Sequence, residues 1–142
     1  MRLFRQPSNT PPSQVPVAHP IEFEGRGVYE IALDRNWGAV FEDDGSTGYL
    51  YLTSATFDHI YDALHIYDSG SAAQLAVGER AVLVWASSIQ KVGLFFRGQF
   101  QAVASLSERR ACCRSGFPAN APAEWGGSSH AWDEAVVRGL GP

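Results

Sequence analysis

The sequence predicts an α+β fold: a mainly antiparallel β-meander of about seven strands with one C-terminal helix packed on the sheet. Three observations lead there. Short runs of alternating or continuously apolar residues recur along the chain, separated by turn residues. Asp44-Gly45 is a strong tight-turn signal, because Gly reaches positive φ without steric cost and Asp tolerates it. Residues 129–141 carry a helical apolar stripe between a capping serine and two glycines.

Composition narrows the class. The chain has 142 residues, enough for one domain with a substantial core. Apolar residues make up 45% and charged residues 18%, a globular balance. The net charge of −4 argues against nucleic acid and anionic membrane as partners, since both favour clustered Lys and Arg. The opening MRLFRQPSNTPPSQVP lacks an apolar signal core, and no apolar run approaches a membrane span. Cys112 and Cys113 are adjacent, with Cα atoms about 3.8 Å apart, poor geometry for bridging each other. They read as reduced thiols on opposite faces of a strand, in a cytoplasmic protein.

The elements follow in order. Residues 1–20 hold Pro7, Pro11, Pro12, Pro16 and Pro20 among Ser, Asn, Thr and Gln, and read as a flexible tail ahead of a single domain over residues 21–142. Residues 21–24 suit an edge strand. Residues 28–33 alternate Tyr29, Ile31 and Leu33 against Val28, Glu30 and Ala32, and Asp34-Arg35-Asn36 turns the chain.

The central hairpin comes next. A two-residue loop at Asp44-Gly45 pairs Phe41 with Gly48, Val40 with Tyr49 and Ala39 with Leu50. A four-residue loop over residues 43–46 keeps that register, whereas a three-residue loop slips it by one. In the expected register Trp37, Ala39, Phe41, Leu50 and Leu52 share a core face, with Gly48 leaving room for the Phe41 ring. Val40, Glu42, Thr47, Tyr49 and Tyr51 share the other face, beside an acidic tip of Asp43 and Asp44.

Residues 57–67 suit one or two helical turns running into a short strand. Residues 81–86 are nearly all apolar, as in a strand covered on both faces. Residues 92–97 and 100–106 form a hairpin that bends at Gly98, with Phe95, Phe100, Ala102, Ala104 and Leu106 on one face and Val92, Leu94, Phe96 and Val103 on the other. Both faces are apolar, so both need a cover. Residues 110–114 suit a last strand. Ser129 is the expected N-cap of the terminal helix, with Asp133 and Glu134 in its first turn and Trp132, Ala135, Val136 and Leu140 as its stripe.

The segments FEDDGSTGYLY at 41–51, LHIYD at 64–68, KVGLFFRGQFQAV at 91–103, CCRSGFP at 112–118 and SHAWDEA at 129–135 together resemble a small bacterial family of uncharacterised proteins. That family carries FEDDGxTGYxY, a GYCRTxFP-like segment and SHxWD. The chain departs from the pattern at Cys112, where the family tends to have an aromatic, and at Ser115, where it has Thr. The resemblance implies a real domain over residues 37–140 and carries no activity with it.

Catalytic patterns are weak. Glu42, Asp43 and Asp44 cluster at the hairpin tip, with His59, His65 and His130 as potential neighbours, which would suit a metal-dependent hydrolase using Glu42 and Asp44. Alternation on a strand lets at most two of the three carboxylates converge, and a solvated turn uses the same residues to bond its own backbone. Cys113 with His130 is a conceivable nucleophile pair that no spacing demands, and Gly126-Gly127-Ser128-Ser129 is a conceivable anion nest or a plain loop. No phosphate-loop or dinucleotide fingerprint is present, and no metal or other cofactor is expected.

The aromatic residues point to binding. Tyr49, Tyr51 and Trp125 are placed where they could anchor an interface or sit under a loop. The preferred expectation is a small immunity-protein-like domain that neutralises a protein partner, such as a basic toxin, by occlusion. Its binding residues would be Glu42, Asp43, Asp44, Tyr49, Tyr51 and Trp125. Self-association is permitted, and no nucleic-acid or membrane partner is expected.

Overall fold

The computed structural model describes residues 15–140. The expectation of a tail therefore lies outside the described residues as far as residue 14, and so do the last two residues of the domain.

Nine strands among the described residues form two antiparallel sheets. Strand β1 (Val17–Glu22) joins β6 (Arg80–Ala86), β7 (Lys91–Phe96), β8 (Gln99–Ser105) and β9 (Arg110–Cys113) in a five-stranded sheet of order β1-β6-β7-β8-β9. Strands β2 (Gly27–Ala32), β3 (Trp37–Asp43), β4 (Thr47–Ser54) and β5 (Ile60–Asp68) form a four-stranded sheet in sequence order. The expected single meander of about seven strands is thus two layers. One core explains why: Leu83, Trp85, Leu94 and Phe96 of one sheet are buried with Phe41, Leu50, Leu52 and Leu64 of the other. Each sheet hides its apolar face on its partner.

Strand β1 begins inside the segment read as tail. Pro20 lies opposite Val82, and the strand has a single neighbour, so a proline without an N–H is tolerated there. Residues 60–68 are strand throughout, without the expected helical turns; Phe57 instead has a φ of 66° in the turn before β5.

The central hairpin keeps its expected faces with a different pairing. Phe41 lies opposite Leu50, Glu42 opposite Tyr49 and Asp43 opposite Gly48. The register is two residues from the expected one, so every side chain keeps its side. Gly48 makes room for Tyr67 and not for Phe41: a Cβ there would stand 2.6 Å from two Tyr67 ring atoms. Phe41 instead packs with Phe23, Tyr29 and Tyr67 at 6.2–6.4 Å between ring centroids.

The β7–β8 hairpin corrects the face assignment. A bulge between Leu94 and Phe95 shifts the register by one. Val92, Leu94 and Phe96 therefore join Ala102, Ala104 and Leu106 in the inner core, while Phe95 meets Phe100 outside it.

The outer face of the five-stranded sheet is covered, as expected, but by a shorter helix. Helix α1 spans Glu134–Val137, a single turn, and its N-cap is Asp133, whose carboxylate accepts from the Ala135 N–H. Ser129 sits in an isolated bridge with Asn120 and caps no helix. Val136 and Leu140 are buried against Ala86, Val103 and Cys112. A Cβ on Gly93 would stand 2.6 Å from Leu140, so that glycine lets the segment down onto the sheet. Lys91 donates to the carbonyls of Ala135 and Arg138, a cation at the helix's negative end.

Candidate functional site

The outer face of the four-stranded sheet is built by alternation. Tyr29 and Ile31 pack against the core while Val28, Glu30 and Ala32 are exposed on the opposite face of β2. On β3 the outward set includes Val40 and Glu42, and on β4 Tyr49 and Tyr51. Tyr49 and Tyr51 are half-buried and stack at 5.8 Å with an 18° interplanar angle. The Tyr51 hydroxyl donates to Glu42 Oε1 at 3.1 Å. Burial, then the bond to Glu42 and its charge, push the Tyr51 phenol up to about 12. Across to β5, His65 meets Tyr49 edge-on at 5.4 Å and Phe117 at 5.8 Å, and its Nδ1 has no partner among the described residues.

Beside this aromatic row lies a depression of about 240 Å³. Val40 and Thr53 lie beneath it, Phe57 and Tyr51 offer rings, and Val28 and Ile60 flank it, 56% and 53% exposed. Glu30 and Glu42 contribute the two carboxylates, and neither forms an ion pair with Lys or Arg among the described residues. This half of the site was not expected: Glu30, Phe57 and Ile60 were read as parts of a strand or of helical turns. The alternation of Glu30 against Tyr29 and Ile31 was its one visible signal.

Glu42, Tyr49 and Tyr51 therefore share one surface. Asp44 lies at its edge, fully exposed, where its carboxylate accepts from the Ser46 and Thr47 amides. Those two bonds hold its pKa below the usual carboxylate value, Thr47 contributing most.

Asp43 and Trp125 lie elsewhere. Asp43 is 2% exposed on the core side, where it accepts from the Gly45 amide at 2.9 Å, the Tyr67 hydroxyl at 3.0 Å and Gln74 Nε2 at 3.3 Å. Its place opposite Gly48 leaves no side chain in the way, and the carboxylate fastens the hairpin to residues 67–74. Trp125 is 1% exposed, at the end of a short 3-10 turn (Ala123–Trp125), stacked on Tyr61 at 6.3 Å and edge-on to Trp37 at 6.4 Å. Neither side chain is available to a partner on the hairpin face.

The other chemical groupings resolve into structural roles. His130 and Asp62 are buried, with His130 Nε2 2.8 Å from Asp62 Oδ2 and Nδ1 2.6 Å from the Pro118 carbonyl oxygen. Burial opposes the charged ring, but the Asp62 bond and charge, with the Pro118 carbonyl, outweigh it and raise the His130 pKa. Both ring nitrogens are engaged, and the Cys113 thiol faces Ser115 Oγ and the Phe117 carbonyl. The Gly126 and Gly127 amides bond Ala123 and Pro122 carbonyls, which leaves no open nest at those two positions. Among the described residues, no three His, Cys, Asp or Glu side chains are placed to hold one ion, and no helix is long and apolar enough to cross a membrane.

Comparison with curated proteins and with solved structures found no match. Residues 26–140, from just before β2 to just past α1, match a family described as an uncharacterised protein conserved in bacteria. The matched span contains the whole hairpin face and its depression, and the chain belongs to that family, DUF2251.

Proposed function

We propose that this protein is a small binding domain of the immunity type, working in the cytoplasm, which neutralises a basic protein toxin by covering it with the outer face of the four-stranded sheet. One contrast carries the reading. The five-stranded sheet has its outer face covered by Trp132, Val136, Val137 and Leu140, whereas the four-stranded sheet keeps rings, exposed valine and isoleucine, and two carboxylates without Lys or Arg partners on its own outer face. Stacked tyrosines supply large contact area at low entropic cost, and they are common hot spots of interfaces. Glutamates without Lys or Arg partners beside them favour a cationic partner and speed its approach.

The test is to identify a partner by co-purification and then measure its affinity, and the loss of its toxic activity, with Tyr49→Ala, Tyr51→Ala and Asp44→Asn. The tyrosine substitutions should weaken binding by about 2 kcal/mol or more while leaving unfolding little changed. Asp44→Asn should chiefly slow association and flatten its salt dependence. Full binding by all three variants would rule the face out.

A further inference from the structure

We infer that the depression receives an extended, basic segment of the partner, added along the free edge of β2, with an arginine or lysine side chain laid over Val28 and Val40 towards Glu30 and Glu42. This deepens the binding reading above and rests on it.

Strand β2 pairs with β3 on one side and has no strand on the other among the described residues. Its outward amides and carbonyls are a template for one more strand. In the antiparallel register Val28 lies opposite Glu42 and Glu30 opposite Val40. Glu30 and Glu42 are therefore diagonal neighbours on one face, about 7–8 Å apart, a spacing that a cationic group on an added strand can serve from between them. Both carboxylates lie on this face, and neither forms an ion pair with Lys or Arg among the described residues. Val40 on the floor and Val28 and Ile60 on the flanks are apolar, so the methylene stem of Lys or Arg is covered while its charged head meets the carboxylates. The Tyr51 and Phe57 rings add faces that favour a cation.

A second copy of this chain fits poorly. Pairing β2 with β2 would crowd four glutamates on one face of a chain that already carries a net charge of −4. A basic segment brings the complementary sign.

The probes are two capped peptides of about nine residues, threonine alternating with arginine in one and with glutamate in the other. Each is titrated into the nitrogen-15-labelled full chain. The arginine peptide should shift the signals of β2, Glu42 and Tyr51 and slow hydrogen exchange of the β2 amides. The Glu30→Gln/Glu42→Gln double variant should bind it about tenfold more weakly, and Glu30→Gln alone should fall between, while Glu108→Gln binds as wild type. Unchanged unfolding midpoints confirm intact folds for all three. The glutamate peptide should leave the spectrum unmoved. Equal binding by the double variant, or shifts spread over the acidic surface without β2, overturns the inference. If that happens while a captured partner is still lost with Tyr49→Ala, the binding reading stands without this one. A captured partner indifferent to every substitution on the face removes both.

Discussion

At the scale of single residues, identical chemistry separates into different roles by which side of the strand it falls on. Glu42 and Asp43 are neighbours in sequence, yet one faces a depression and the other bonds Tyr67 and Gln74 in the interior. Alternation made the first role legible. The second was not, because the long-range partners of Asp43 lie 24 and 31 residues away. Tyr51 offers a direct check on the surface role. A spectrophotometric titration should show a phenol ionising at about 12 that Tyr51→Phe removes, and the same change should cost no more than about 1 kcal/mol of stability. His130 offers another. Its pKa is raised in the folded chain, so its contribution to stability is complete below the ordinary value of about 6.5 and is lost as pH rises through the folded value. Denaturant midpoints should fall as pH rises above about 6.5 towards the raised folded value. His130→Gln should be strongly destabilised and should lack that slope, since it leaves Asp62 buried without its charged partner. A slope that persists in the variant would assign it to another group.

At the scale of elements, the hairpins show where periodicity suffices and where it fails. The faces of β3 and β4 were legible because a shift of two residues preserves side-chain parity. The faces of β7 were not, because the bulge at Leu94 and Phe95 changes parity and both faces are apolar, which leaves no polar residue to mark the error. Trp125 was hidden for a related reason: a Gly- and Pro-rich loop looks exposed in sequence, and only the rings of Trp37 and Tyr61 reveal what covers it. The hairpin account is testable at Gly48. Gly48→Ala should cost about 1–3 kcal/mol, because the Tyr67 ring is held in place by its bond to Asp43 and cannot step aside freely. Phe41→Ala should cost about 3–5 kcal/mol, given its complete burial among three rings. Chemical denaturation measures both, and a neutral Gly48→Ala would contradict the close approach of Tyr67.

At the scale of the molecule, two sheets share a core and differ in what lies outside them. The five-stranded sheet carries a cover anchored by Leu140 over Gly93, by Arg110 to Asp133 at 2.6 Å and by Arg114 stacked 3.7 Å from the Trp132 ring. The four-stranded sheet carries a surface of mixed chemistry and one free edge. A second apolar layer was foreseeable from strands apolar on both faces. That the layers would be separate sheets was not, since β1 returns to pair with β6 across more than fifty residues of intervening chain.

The claim that this open face is a binding surface is tested most directly by hydroxyl-radical footprinting of the chain alone and with its captured partner. Oxidation of Tyr49, Tyr51 and Phe57 should fall in the complex, while that of Trp132 on the covered sheet should stay as it is in the free chain. Protection of Trp132 with Tyr49, Tyr51 and Phe57 oxidised as before would place the partner on the opposite side of the molecule and contradict the account.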